Sequence, residues 1–203
     1  SKDTLKSDII STITNYNTGT LQKFDSVFRH SKLTGLIDDT DASILSNVTT
    51  LKIRKSFTPS ISSSAAYNVY FRNALYNPHS GHNSAMGGIL SSTGFKVTGS
   101  DAEQFLDDDG QGNVRRFFLV SGVKTYANNT QGTIDYATGQ VTLNSLNIAS
   151  ISNIRGAAST VVEVTVVPAS NDVVPVRDQI VEIDVANSLI SVEEDSLVLL
   201  RQV

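Results

Sequence analysis

The hydrophobic period changes once along this chain, near residue 46, and does not change back. Before that point, apolar residues recur at helical intervals. Leu5, Ile9, Ile10 and Ile13 are spaced by four, one and three, which gathers them on one face of a helix. Leu21, Phe24, Val27 and Phe28 form a second stripe, continued by Leu33, Leu36 and Ile37, and predict a helix over about 21–37. Asp3 or Thr4 can cap the first helix, and Asn15-Tyr16-Asn17-Thr18-Gly19 reads as its break. Asp38, Asp39 and Asp41 mark a turn, with Asp41 capping a one-turn helix to Leu45.

Beyond residue 46 the pattern alternates. Leu51, Ile53 and Phe57 oppose Lys52, Arg54 and Ser56, as in a half-buried strand. Tyr67, Val69 and Phe71 repeat that alternation after a link containing Pro59 and Ser62-Ser63-Ser64, so the two runs are expected to pair antiparallel. Short strands follow at 94–97 and at 114–120. In the latter, Phe117-Phe118-Leu119-Val120 is apolar on both faces and is expected to be covered from both sides. Residues 132–143 form the clearest hairpin, with Gly139 at the positive-φ loop position. Val162, Val164 and Val166 alternate with Glu163 and Thr165. Extended stretches at 176–185, 189–192 and 197–200 close the chain. Helices precede strands with no βαβ alternation, which predicts an α+β fold with a mainly antiparallel sheet. The division expected is a helical segment, 1–45, and a β-rich domain, 46–203.

Composition narrows the chemistry. No cysteine is present, which removes disulfides, thiolate metal sites and a thiol nucleophile. Sixteen basic against twenty acidic residues leave no strongly basic nucleic-acid footprint, and no apolar run approaches the roughly 20 residues of a membrane span. His79 and His82 stand three apart, but a closed zinc site needs four ligands, and this loop reads as solvated. His30 reads as a packing or surface residue. Asp107-Asp108-Asp109-Gly110 fails as an EF-hand, because aligning Gly110 with the invariant glycine puts Phe105 and Arg116 at ligand positions. It reads instead as a polar turn. Lys52, Arg54 and Lys55 read as a solvated strand face. No nucleophile elbow, phosphate loop or paired carboxylate motif stands out, so no catalytic residue, metal site or cofactor is assigned.

Four segments in order carry a resemblance. The first runs Phe28-Arg29-His30-Ser31-Lys32-Leu33-Thr34-Gly35-Leu36-Ile37-Asp38-Asp39-Thr40-Asp41 and on to Leu51-Lys52-Ile53-Arg54-Lys55. The others are 105–115, 132–143 and Val174-Pro175-Val176-Arg177-Asp178-Gln179-Ile180. Together they resemble the C-terminal region of the large baseplate wedge subunit of T-even-type contractile-tailed phages, a relative of the baseplate J-like proteins. Residues 1–23 and 77–92 carry none of that resemblance. A surface in which Ser, Thr and Asn supply 60 of 203 residues suits a viral structural protein. Ser1 stands where an intact chain would begin with Met, so a piece of a longer protein is expected.

The resemblance implies a structural role and no enzyme activity. The family's subunit is present in two copies per wedge, six wedges surround a hub, and the C-terminal region joins copies. Self-association as a homodimer, contact with other wedge proteins, assembly in the host cytoplasm and residence in the virion tail are therefore expected. No nucleic-acid or membrane partner is implied. Leu5, Ile9, Ile10 and Ile13 are the interface candidates. The competing reading is a receptor- or carbohydrate-binding module of a phage tail or adhesin, for which Tyr67, Tyr70 and Tyr76 supply the aromatic cluster.

Overall fold

The computed structural model describes residues 1–82, 88–176 and 179–194. The fold is α+β, with N-terminal helices followed by mainly antiparallel strands. The chain divides into two compact units, Ser1–Thr49 with Asp172–Val203, and Thr50–Asn171. Relative to a sequential division at residue 45, the difference is that the described residues from Asp172 onward pack with the helices.

In the first unit, α1 spans Lys2–Tyr16. Its cap is Ser1 rather than Asp3 or Thr4, because the Thr4 N–H donates to Ser1 Oγ at 3.2 Å. The predicted break at Asn15–Gly19 is not one. The helix widens into a π turn, Asn17–Leu21, closed by the Gln22 N–H donating to Asn17 O at 3.0 Å. Local propensity loses to burial here. Tyr16 and Leu21 are buried, and the buried Asn17 finds a partner for its side chain in the Ile183 N–H, 2.8 Å away.

The predicted 21–37 helix is shorter at its start. Helix α2 spans His30–Asp38 only. Phe28 is instead extended and exchanges two backbone hydrogen bonds with Val173, at 2.9 and 3.0 Å. Its buried ring meets Tyr16 edge-on at 6.4 Å. Arg29 offers no capping side chain, and Asp172 supplies one from the far end of the sequence. Asp172 Oδ1 accepts from the His30 N–H at 2.9 Å, and Oδ2 accepts from Arg29 at 3.0 Å. Those two donors hold the Asp172 carboxyl below the ordinary carboxylate range, the His30 amide first. Residues 41–44 form a turn rather than a helical one: Asp41 Oδ1 takes the Ser43 N–H at 2.8 Å. Residues 176–185 and 189–192 form no strand where described, and 197–200 lie outside the described residues.

Among the described residues the second unit holds nine strands: β1 Ile53–Phe57, β2 Ser64–Tyr70, β3 Ser91–Ser92, β4 Phe95–Val97, β5 Gln104–Asp108, β6 Asn113–Val120, β7 Val123–Asp135, β8 Gln140–Ile151 and β9 Val162–Val166. Strands β8-β4-β5-β6-β7 hydrogen-bond in that order, and β7 returns to β8, so five strands close on themselves. Asn147 and Ile148 show how β8 serves three partners. The Thr98 N–H donates to Asn147 O and the Ser62 N–H to Ile148 O, and successive carbonyls point to opposite strand edges. Strand β2 therefore lies along the edge of β8 that faces away from the barrel. The remaining sheet is β1-β9-β3.

The expected β1–β2 pair does not form. Strand β1 pairs with β9 and β2 with β8. The two meet through side chains instead, with the Phe57 and Tyr67 rings stacked at 4.7 Å. The 132–143 hairpin pairs as predicted, Gly132 opposite Leu143 through Asp135 opposite Gln140. Gly139 takes φ 71°, and a Cβ there would lie 2.3 Å from Asn73 O. Val162, Val164 and Val166 are fully buried and join Phe71, Phe95, Leu106, Leu143 and Ile148 in one core. Each such side chain contributes roughly 1.5–3 kcal/mol relative to an exposed one.

Candidate functional site

Strand β6 departs most from expectation. It lies between β5 and β7 in the hydrogen-bonded order, yet Leu119 and Val120 are 50% and 52% exposed. Register explains this. Pairing with β5 ends at Gln104 opposite Phe118, so the strand beyond Phe118 has only β7 beside it. Leu119 and Val120 turn through Ser121 and Gly122, both at positive φ (50° and 81°), into Val123, which is 67% exposed. The result is a two-stranded arm. Val120 and Val123 pair across one face of it, and Leu119 lies on the other, next to Phe117. Among the described residues no strand pairs with the outer edge of β7 before Gly132.

A buried carboxylate sets the base of the arm. Asp107 on β5 is 1% exposed and accepts from Arg115 Nε at 2.9 Å, Lys124 Nζ at 2.8 Å and the Tyr126 hydroxyl at 2.8 Å. Burial, and then that bond to Asp107, pushes the Tyr126 phenol up to about 12. Lys124 also sits 4.4 Å above the Phe117 ring, and Arg115 lies 4.3 Å from the Tyr126 ring centroid. Three strands are thus clamped together where the arm leaves the barrel. A shallow groove of about 250 Å³ runs beside it, lined by Leu90, Phe105, Phe117 and Leu119 among others.

The acidic run 107–109 does not form one cluster. Asp107 faces the basic residues just named. Asp108, also 1% exposed, accepts from the backbone N–H groups of Ile89 (2.6 Å), Leu90 (2.8 Å) and Gly110 (3.3 Å) and from the Tyr136 hydroxyl (2.6 Å). Burial and that last bond drive the Tyr136 phenol far above its ordinary value. Asp109 alone plays the predicted turn role. Its carboxylate takes the N–H groups of Gln111 and Asn113 and the Asn113 side chain. Burial raises its pKa, but those donors together outweigh burial and leave it lowered. Each carboxylate is committed to protein donors. Among the described residues no group of three His, Cys, Asp or Glu is placed to hold a metal ion.

The helical candidates lie in the first unit. Ile9 and Ile13 are buried there, and Leu5 and Ile10 are half-buried. The tyrosines are spread out. Tyr67 stacks on Phe57 and its hydroxyl accepts from the Ser60 N–H, Tyr70 lies one strand face away, and Tyr76 meets His82 edge-on at 5.4 Å. His30 Nε2 bonds Thr49 O at 2.8 Å. In the basic patch, Arg54 pairs with Glu163 at 3.7 Å. In the sequence Leu119 and Val120 read as covered from both sides, and Val123 does not stand out. The usable signal was Ser121-Gly122, a turn dipeptide set between apolar runs.

Residues 1–56 match the family model of baseplate structural protein gp6, C-terminal domain III. No curated protein matches the chain. The matched residues span α1, the π turn and α2 and reach into β1. They include the first 23 residues, where the four-segment resemblance is silent, and exclude the three later segments. The match supports a phage baseplate protein with a structural role.

Proposed function

We propose that this chain is a structural component of a phage tail baseplate wedge, built to join subunits and to contact a second copy of itself in the virion tail. The observation that carries this reading is the family match over residues 1–56. The arm supplies a surface suited to the task. It exposes Leu119, Val120 and Val123 on its two faces and leaves the β7 edge without a partner strand among the described residues. Proteins that stay apart blunt such edges with free charge, but the Lys124 ammonium is engaged by Asp107. Two β7 edges can therefore meet antiparallel around Tyr126, with Lys124 opposite Asn128 and no like charges opposed. Leu5 and Ile10, supported from beneath by Ile9 and Ile13, are a second candidate contact on α1.

Light scattering across micromolar concentrations tests this. The full chain is expected to show the mass of a dimer, and a variant carrying Leu119→Ser, Val120→Asp and Val123→Thr to show the 21.8 kDa of one chain. Because these side chains are exposed in the single chain, the variant should still unfold cooperatively, at a midpoint that, unlike the dimeric parent's, does not change with protein concentration. A parent chain that stays monomeric, or a variant that still dimerises, counts against the arm as the contact.

A further inference from the structure

We propose that His79 and His82 form a two-imidazole chelating site for a divalent transition-metal ion of the zinc type. His79 Nδ1 lies 3.2 Å from Ser80 O. A carbonyl can only accept, so the Nδ1 of His79 carries the hydrogen and its Nε2 carries the lone pair. That Nε2 lies 3.1 Å from His82 Nδ1, with the two rings nearly perpendicular at 86°. Two nitrogens this close share either one proton or one metal ion. Ligands at the usual zinc–nitrogen distance on a tetrahedral ion stand about 3.3 Å apart. The pair is thus spaced for chelation, and each ring must tilt so that its lone pair turns about 35° off the line between the nitrogens toward a shared tetrahedral ion.

The loop holding the pair is a built turn. The His82 N–H donates to His79 O at 3.1 Å, the Gly81 N–H to Gly110 O at 2.8 Å, and Asn77 Nδ2 to the same Gly110 carbonyl at 3.3 Å. Gly110 allows this approach: it takes φ 71°, and a Cβ there would come within 2.4 Å of His82 O. Tyr76 lies edge-on to the far side of the pair through His82. The backbone bond at His79 Nδ1 plays the part that outer-shell partners play for metal-binding histidines, fixing ring and tautomer.

In the metal-free form, His82 Nδ1 donates its hydrogen to His79 Nε2. Binding moves that hydrogen to His82 Nε2 by exchange with solvent, and both inward nitrogens then donate lone pairs to the ion. No net proton is released from two neutral rings. Water fills the remaining positions, which it can reach because His79 is exposed and His82 only half-buried. Imidazole donors with no carboxylate among them favour zinc, copper or nickel over calcium or magnesium.

Calorimetric titration of the full chain with zinc chloride tests the site. One ion per chain is expected. His79→Ala or His82→Ala should each weaken binding by at least about tenfold, since even outer-shell losses cost about 10–100-fold. His30→Gln should bind like the parent, because His30 is tied to Thr49. On the unaltered protein, zinc should shift the ring resonances of His79 and His82 and leave those of His30 in place. Absence of saturable binding, or binding that persists in the doubly substituted chain, overturns the proposal.

Discussion

Three identical letters in a row, Asp107-Asp108-Asp109, carry three different roles, and the difference comes from the period of a strand. Asp107 and Asp108 are still on β5, where successive side chains point to opposite faces. One meets Arg115 and Lys124, and the other meets backbone donors and Tyr136. Asp109 has left the ladder and closes the turn on its own backbone neighbours. The turn was legible because Asp and Gly at that spacing have a local reason to be there. The two buried carboxylates were not, because their partners lie up to 28 residues away. Asp108→Ala should be costly: it strands four donors, and a buried unsatisfied group costs about 1–3 kcal/mol. Urea unfolding of the β unit should show a loss of at least about 3 kcal/mol. A loss below about 1 kcal/mol would mean that water replaces the carboxylate at little expense.

At the level of elements, helical spacing located α1 and α2, alternation located β1, β2 and β9, and a run apolar on both faces located β6. Boundaries failed where tertiary contacts took over the backbone. Phe28 lies in a helical pattern but is drawn into pairing with Val173, a partner 145 positions on that no local window contains. Asn17 and Gly19 look like breakers, yet the helix runs on because the Asn17 side chain is satisfied by the Ile183 amide. The β6–β7 arm was hidden for the same reason: whether an apolar strand end is covered depends on where its neighbour stops. Gly35 shows the opposite case, a local choice that tertiary structure leaves uncompensated. It sits inside α2, at no positive φ, with nothing within 4 Å of an added Cβ. Gly35→Ala should stabilise the helical unit by about 0.5–1 kcal/mol, by lowering the entropy of the unfolded chain and improving helix propensity. Urea unfolding followed by helical ellipticity should show the midpoint rise. A fall would mean that the helix needs the glycine for a close approach not evident in the fold.

At the level of the whole molecule, the two units differ in how they are built from the sequence. The β unit is continuous, Thr50–Asn171, and its core draws on β1, β2, β4 to β9 and the segments between them. The helical unit is assembled from the two ends. Helices of 15 and 9 residues are marginal alone in water. Much of what holds them comes from beyond residue 171: Asp172 caps α2, Val173 pairs with Phe28, and Ile183 satisfies Asn17. The matched segment, residues 1–56, therefore contains the helices but not the residues that complete their packing. A chain ended at Asn171 should keep the β unit folded while the amides of α1 and α2 lose protection from hydrogen exchange. Phe28 and Leu21, buried in the full chain, each account for roughly 1.5–3 kcal/mol of what is at stake. Residues 50–171 alone should unfold cooperatively with a midpoint close to that of the same strands in the full chain. If α1 and α2 stayed as protected without residues 172–203 as with them, the two helices would have to hold each other, and the C-terminal segment would be a passenger rather than a clasp.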